Sequence, residues 1–459
     1  MRKWKERVKT ILLHVLVLTS FVLTTMLWNN QPRFEPFEPA KYVKSKPVEV
    51  KQLEELVTPE FVIFHYGDQR HTRAVSTDAH YRLIKEEMSK WIFFDFMQYS
   101  LTEDKWEELT SQALGLEIQF RSTVPMSVLS QIFTFRDETY ELLEGVDRLW
   151  LYYEEKEDLV YALFLSGEEE KVVRSRTAIS PKDLQQSYLP AGKPMPEQIL
   201  KAVKHRRTLP EVGQQSPYWH VYYVPKDRLK MQLFLYNYLP ITEDELIEAY
   251  FLDRTLVRQI KERDNTTIFT DGSRSIQLRP DQQLITYTDP AYHQGTQEIT
   301  AEEKLKGAIS FINKHLGWTD DYHFETIKTS YNDKDLITFR QYVGAYPLIS
   351  ADGYQLDKIT ITSEAGHVVT MTRSLLDLDK FIDHKEWVIM SGPELFETVR
   401  DSQLADTKDI THVYLAYQAK VHQGYVELMP VWVVELADGT KRYINARAQQ
   451  GGGKIDGLE

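Results

Sequence analysis

The residues that could do chemistry are numerous but poorly grouped. The chain of 459 residues holds 68 Asp plus Glu and 13 His but no Cys. Thiol nucleophiles, disulfides and cysteine-bound metals are therefore excluded. A histidine metal site needs two imidazoles on one helical turn or on neighbouring strands. No two histidines stand four apart, and His65 and His71 come nearest, because a turn at Gly67-Asp68 would face them across a hairpin. Without further ligands, packing or surface histidines are the better reading of that pair. Asp377, Asp379 and Asp383 could suit calcium, yet the segment lacks the glycine and terminal bidentate Glu of an EF-hand and reads as a solvated turn. Glycoside hydrolysis needs only two placed carboxylates, but the clusters Glu154-Glu155 and Glu168-Glu169-Glu170 fall in expected turns, where solvation accounts for them. The motifs of α/β-hydrolases, zincins, P-loop proteins and penicillin-binding active sites do not occur. No residue is assigned a catalytic, cofactor-binding or metal role on these grounds.

The elements that would position such residues begin with an apolar one. From Thr10 to Trp28 there is no Asp, Glu, Lys or Arg, a length that spans a bilayer's hydrocarbon core. Arg2, Lys3, Lys5, Arg7 and Lys9 precede it against Glu6 alone, which favours a cytoplasmic N-terminus and an extracytoplasmic remainder. No small-x-small site follows, so an uncleaved anchor is expected rather than a signal peptide. On this span His14, Phe21, Thr25 and Trp28 share roughly one helix face, and Ser20 and Thr24 form a neighbouring polar stripe. Polar groups in lipid seek partners, which makes these six residues the candidate contacts with other spans. Ser and Thr have an alternative, bonding back to their own helix's carbonyls.

Beyond the span, 42% hydrophobic residues exclude a wholly disordered chain, and a net charge of -13 opposes general nucleic-acid binding. The expected organisation is a basic tail (1–9), the transmembrane helix (10–28), a proline-rich stalk (29–47), an N-terminal domain (48–205), a central domain (206–299) and a C-terminal domain (300–459). The class is α+β: antiparallel sheets with packed helices, the central and C-terminal domains being related. Trp91 to Phe96 predicts an aromatic core strand, with a binding face as the alternative. Pro196 to Lys204 predicts a short helix. Thr242-Glu243-Asp244-Glu245, Thr300-Ala301-Glu302-Glu303 and Ser391-Gly392-Pro393-Glu394 each predict a capped helix start. After the last two come turn-linked strands, so that the end of the chain repeats a helix-then-meander plan.

Several pieces together resemble the YycH family: the basic tail, Val15 to Ser20 through Trp28-Asn29-Asn30-Gln31-Pro32, Gly344-Ala345-Tyr346-Pro347-Leu348, and the cysteine-free exterior. Pro430-Val431-Trp432-Val433-Val434 with Tyr443-Ile444-Asn445-Ala446 is similar to the end of the partner family YycI. None of these pieces is a catalytic signature. The resemblance implies a non-enzymatic, cofactor-free regulator of the WalK (YycG) sensor histidine kinase, which controls cell-wall metabolism in Gram-positive bacteria. It implies YycI and the lipid bilayer as further partners, contacts through spans and exteriors, and regulation of inhibitory sign. The alternative is an extracytoplasmic cell-wall hydrolase or substrate-binding protein.

Overall fold

The computed structural model describes residues 2–29, 49–137, 142–190, 195–204, 219–290, 299–330, 334–350, 354–402, 404 and 409–448. Apart from Asn29, the expected stalk lies outside them. The first helix, α1 (Arg2–Asn29), takes in the expected span and the basic tail in one run. Among the described residues no helix is long and apolar enough to cross a membrane, and α1 side chains are described without a break only from Leu12 to Thr25.

The N-terminal sheet has ten strands: β1 (Phe61–Tyr66), β2 (His71–Ala74), β3 (Ile92–Gln98), β4 (Leu114–Pro125), β5 (Thr134–Phe135), β6 (Gly145–Glu154), β7 (Leu159–Ser166), β8 (Lys171–Thr177), β9 (Glu197–Lys204) and β10 (Trp219–Pro225), in the order β10-β9-β2-β1-β4-β6-β7-β8-β3-β5. It is buried on both faces, which is why runs such as Phe61-Val62-Ile63-Phe64 are apolar throughout rather than alternating. Val62 and Phe64 join a core with Leu53 and Leu56 of α2 (Leu53–Leu56) and Tyr81, Ile84 and Met88 of α3 (Ala79–Met88). Phe61 and Ile63 join the opposite core with Trp106 and Leu109 of α4 (Glu103–Ser111). Of the aromatic run, Trp91 and Phe93 are buried in the first core, the packing role expected of it.

Residues 197–204 are strand β9, not a helix. Their physical reason is tertiary: β9 pairs with β10 along its length and with β2 through His71–Gln198 and Thr72–Glu197. The β9–β10 hairpin lies between two parts of the molecule, so its side chains must alternate. Val221 and Tyr223 enter the N-terminal core beside Trp150, whereas Tyr222 and Val224 enter the C-terminal one.

A short α5 (Met126–Leu129) follows β4; after β10, the described residues form a fourteen-stranded sheet with the helices α6 (Glu243–Tyr250), α7 (Ala301–Lys314) and α8 (Gly392–Asp401). All three helix starts carry the expected capping box, at Thr242, Thr300 and Ser391. The central part contains β12 (Arg258–Lys261), β13 (Thr267–Thr270), β14 (Ser275–Arg279), β15 (Leu284–Thr288), β16 (Asp321–Thr329), β17 (Lys334–Val343), β19 (Lys358–Glu364) and β20 (His367–Ser374). Strands from both sides of residue 300 share it, since β15 pairs with β20. The C-terminal part contains β11 (Leu229–Pro240), β21 (Leu376–Ile389), β22 (Ile410–His422), β23 (Tyr425–Leu436) and β24 (Lys441–Asn445). Strand β18 (Tyr346–Ser350) joins the two, antiparallel to β17 and parallel to β22.

Asp377, Asp379 and Asp383 lie on β21, an edge strand, rather than in a turn. Irregular pairing with β11 and a run of charged side chains blunt this edge against further strand addition.

Candidate functional site

Three places concentrate polar or unusually exposed groups. The first is α1. His14, Ser20, Phe21, Thr24 and Thr25 are all exposed on it, and so are Leu12, Leu13, Val15 to Leu18, and Val22 and Leu23. The Thr24 hydroxyl donates to the Ser20 carbonyl at 2.8 Å, and that of Thr25 to the carbonyls of Phe21 and Val22 at 2.9 Å. Both hydroxyls are thus satisfied by their own helix, the arrangement expected of a span with or without a neighbour. Trp28 belongs to α1, but its side chain lies outside the described residues.

The second lies inside the N-terminal sheet. The β1–β2 hairpin places His65 opposite His71, with their Nδ1 atoms 2.9 Å apart. His65 stacks on Trp150 of β6 at 4.5 Å, and its Nε2 lies 3.6 Å from Oε2 of Glu117 on β4. Tyr223 of β10 donates its hydroxyl to the same carboxylate oxygen at 2.6 Å, and Arg148 of β6 lies 3.6 Å from the other. All six side chains are at most 3% exposed. Burial pushes the His71 imidazole down to about 4, with His65 adding to the shift and Glu117 opposing it. Burial alone would raise Glu117, but the neighbouring His65 imidazole and the Arg148 charge outweigh it and hold the carboxyl below its ordinary value. Burial and Glu117 together raise the Tyr223 phenol. The sequence did signal the histidines. It signalled the other charges only as single interruptions of apolar runs, Leu116-Glu117-Ile118 and Arg148-Leu149-Trp150. Among the described residues no group of three or more His, Asp or Glu side chains is placed to hold a metal ion.

The third is the junction of all three parts. Arg121 of β4 donates from Nη1 to Glu60 Oε1 at 2.8 Å, and its Nη2 lies 3.6 Å from Glu435 of β23. Its guanidinium carbon sits 3.6 Å from the centre of the Tyr414 ring on β22, a cation–π contact. His412, also on β22, reaches within 3.8 Å of Glu60. Alongside, Arg340 of β17 bonds Glu325 of β16 at 2.8 Å and also Asp357, and Ser122 of β4 bonds the Glu325 carbonyl. Burial works against the Glu60 carboxylate, yet Arg121 and His412 hold its pKa far below the usual range. Glu435 is held at about 2, burial again being outweighed by Arg121 and then His412 and Lys441. No spacing in the sequence announces this junction, because Glu60, Arg121 and Glu435 meet only through the tertiary fold.

The acidic clusters at turns serve local structure. Glu154 bonds Lys105 at 3.0 Å, and Glu169 accepts from the backbone N–H groups of Glu144 and Gly145 and pairs with Lys171.

Two family profiles match the chain, the YycH protein N-terminal domain over residues 6–187 and the YycH protein C-terminal domain over residues 220–448. A relative from Bacillus subtilis (strain 168), named two-component system WalR/WalK regulatory protein YycH, is 24% identical over 457 residues, covering 94% of this chain and 95% of its own. The crystal structure of YycH from Bacillus subtilis superposes with a TM-score of 0.64 at 17% identity, over 86% of this chain and 98% of that one. An uncharacterized protein from Eubacterium rectale gives a TM-score of 0.33 at 12% identity, over 49% of this chain and 80% of that one.

Proposed function

The chain belongs to the YycH family, and from that premise we propose that it is a non-catalytic, membrane-anchored regulator of the WalK (YycG) sensor histidine kinase of a cell-wall two-component system. The observation that carries this reading is the match, end to end, to a relative named as a WalR/WalK regulatory protein. The reading extends to inhibition of the kinase, to action alongside YycI, and to contacts through both the span and the exterior. It also takes the central and C-terminal helix-then-meander units as related.

The membrane part rests on α1. A helix whose apolar side chains from Leu12 to Leu23 are exposed, behind a basic flank, has an unfavourable surface in water and a favourable one in lipid. The N-terminus is then cytoplasmic and the sheets extracytoplasmic. A cysteine placed at Ser45 is expected to react with an impermeant reagent on intact protoplasts, and one at Lys5 is not; the reverse labelling would overturn this topology. The function is tested by co-purification from membranes. The full chain is expected to retain the kinase and a chain lacking residues 1–28 to lose most of it, with kinase output rising when the full chain is deleted. Normal output without the chain would remove the regulatory role.

A further inference from the structure

The buried histidine pair sits where the N-terminal sheet grips the hairpin that leads into the rest of the molecule. Strand β9 meets β2 at the pairs His71–Gln198 and Thr72–Glu197, and β10 is tied to β4 by the Tyr223–Glu117 hydrogen bond. On its other face the same hairpin is part of the C-terminal core. Tyr222 and Val224 pack there, and α8 begins so close to β10 that a Cβ on Gly392 would overlap the Val224 side chain. Arg228, just past the hairpin, is doubly hydrogen-bonded to Glu394 of α8. The hairpin therefore moves with the C-terminal part unless the N-terminal sheet holds it.

The chemistry of that hold limits how many protons it tolerates. Two imidazole nitrogens 2.9 Å apart form a hydrogen bond only if one carries a proton and the other offers its lone pair. With Glu117 ionised beside Arg148, one proton is held between the two Nδ1 atoms, and His65 Nε2 faces the Glu117 carboxylate at 3.6 Å. Hydrogen on both Nδ1 atoms would set two N–H groups head to head in a site that excludes water. His71 is flanked by His65, Glu117 and the edge of the Tyr223 ring, while Gln198, its cross-strand neighbour on β9, donates its amide nitrogen to the Pro196 carbonyl and has no hydrogen-bond partner at its buried Oε1. Trp150 covers His65, and Trp106 of α4 closes over Trp150.

We propose that this His65–His71–Glu117–Tyr223 cluster is a proton-sensitive clasp, closed at neutral pH and opened when acid leaves both facing Nδ1 atoms carrying hydrogen, which frees the β9–β10 hairpin from the N-terminal sheet. Acid outside the cell would then change how the N-terminal and C-terminal parts are held together. The lowered pKa of His71 agrees with a clasp that resists the second proton until the medium is distinctly acidic.

Hydrogen exchange on the exterior part of the chain, kept as one piece, tests this. After correction for intrinsic exchange, amides of the β2–β9 seam, residues 71–72 and 197–198, are expected to lose protection roughly tenfold or more between pH 7 and about pH 4.5, ahead of β6 and β7. His71→Gln, which stays neutral and can still donate and accept, is expected to keep its protection over that range. Equal protection of the wild-type seam at both pH values, or parallel loss in His71→Gln, would overturn the clasp. Should that variant fail to fold, histidine ring NMR of the wild type decides. Protonation of the His71 ring coinciding with exposure of the β2–β9 seam is expected; protonation of that ring with the seam unchanged would also refute it.

Discussion

Glu60 and Glu117 are both buried carboxylates in the same sheet region, and the difference between their partners separates a fixed joint from a movable one. Glu60 holds a guanidinium at 2.8 Å within the N-terminal part, and that guanidinium reaches across the boundary to stack on Tyr414 and to lie 3.6 Å from Glu435. Glu117 has its charged neighbours at 3.6 Å, and its shortest bond is to the neutral hydroxyl of Tyr223. A permanently charged arginine cannot be titrated away, whereas a histidine pair can. The junction at Arg121 therefore keeps its main cation at every pH, the longer His412 contact to Glu60 being its one titratable cation contact among those described. The clasp should instead depend on pH.

The largest effect is expected from Arg121→Met. It leaves Glu60 buried without its closest cation and removes the only guanidinium bridging Glu60 to Glu435 among the described contacts, so denaturant unfolding should show a loss of about 3 to 5 kcal/mol. Adding Glu60→Gln should restore part of it, because the cost is mainly the orphaned charge. A loss below about 1 kcal/mol for the single variant would mean that the junction is a wet surface pair and the comparison fails.

Next in size is the acid dependence of stability. The folded-state pKa of His71 lies at about 4, below its ordinary 6.5. Its contribution is therefore complete above pH 6.5, falls as the pH drops, and is gone below 4; the loss is on the order of 3 kcal/mol. Glu435 is also depressed, from 4.5 to about 2, so its contribution begins to fall only below pH 4.5 and is exhausted near 2. Burial raises the Asp320 carboxyl to about 7, so its contribution has the opposite sign and grows as the pH falls from 7 towards 3.8. The test is therefore the difference between wild type and His71→Gln, which should change between pH 6.5 and 4 and be flat below that; a difference that does not change over this range would remove His71 from the acid response.

About 1 kcal/mol is expected from Thr300→Ala, measured as a lower unfolding midpoint, because the Thr300 hydroxyl accepts from the Glu303 N–H, the half of the capping box that the substitution removes, while the Thr300 N–H donates to the Glu303 carboxylate. No change would mean that packing of Leu305, Ala308, Ile309 and Ile312 alone fixes where α7 begins. This helix also marks what sequence makes legible. A cap, an apolar stripe and a Gly–Asp turn are local signals, so α7, α8 and the His65–His71 hairpin could be read directly. Residues 197–204 could not, because their state is decided by pairing to β2 and β10 and by two different cores on either side. Edge strand β21 escaped for the opposite reason: its exposed charged residues look like a loop unless β11 is known to lie beside it. Glu60 and Arg121 are unremarkable until the fold brings Glu435, His412 and Tyr414 to them.

The smallest effect concerns α1, where the comparison shifts from buried charges to exposed polar groups. Thr24 and Thr25 already donate to carbonyls of their own helix, so contact with another span would gain only what those hydroxyls do not already have. Interhelical hydrogen bonds in membranes average about 0.6 kcal/mol and rarely exceed about 1.7, so no single one of them can hold an assembly together. His14, with a longer side chain, has more to offer a neighbour than either threonine. Replacement of Ser20, Thr24 or Thr25 singly by Leu is therefore expected to leave co-purification with the kinase within about twofold of wild type, and His14→Leu to have the largest single effect. The combined His14, Ser20, Thr24 and Thr25 replacement should still insert, yet weaken association and alter kinase output. Normal regulation by that variant at equal expression would place the whole signal in the exterior, where the Arg121 junction and the histidine clasp are the parts able to transmit it.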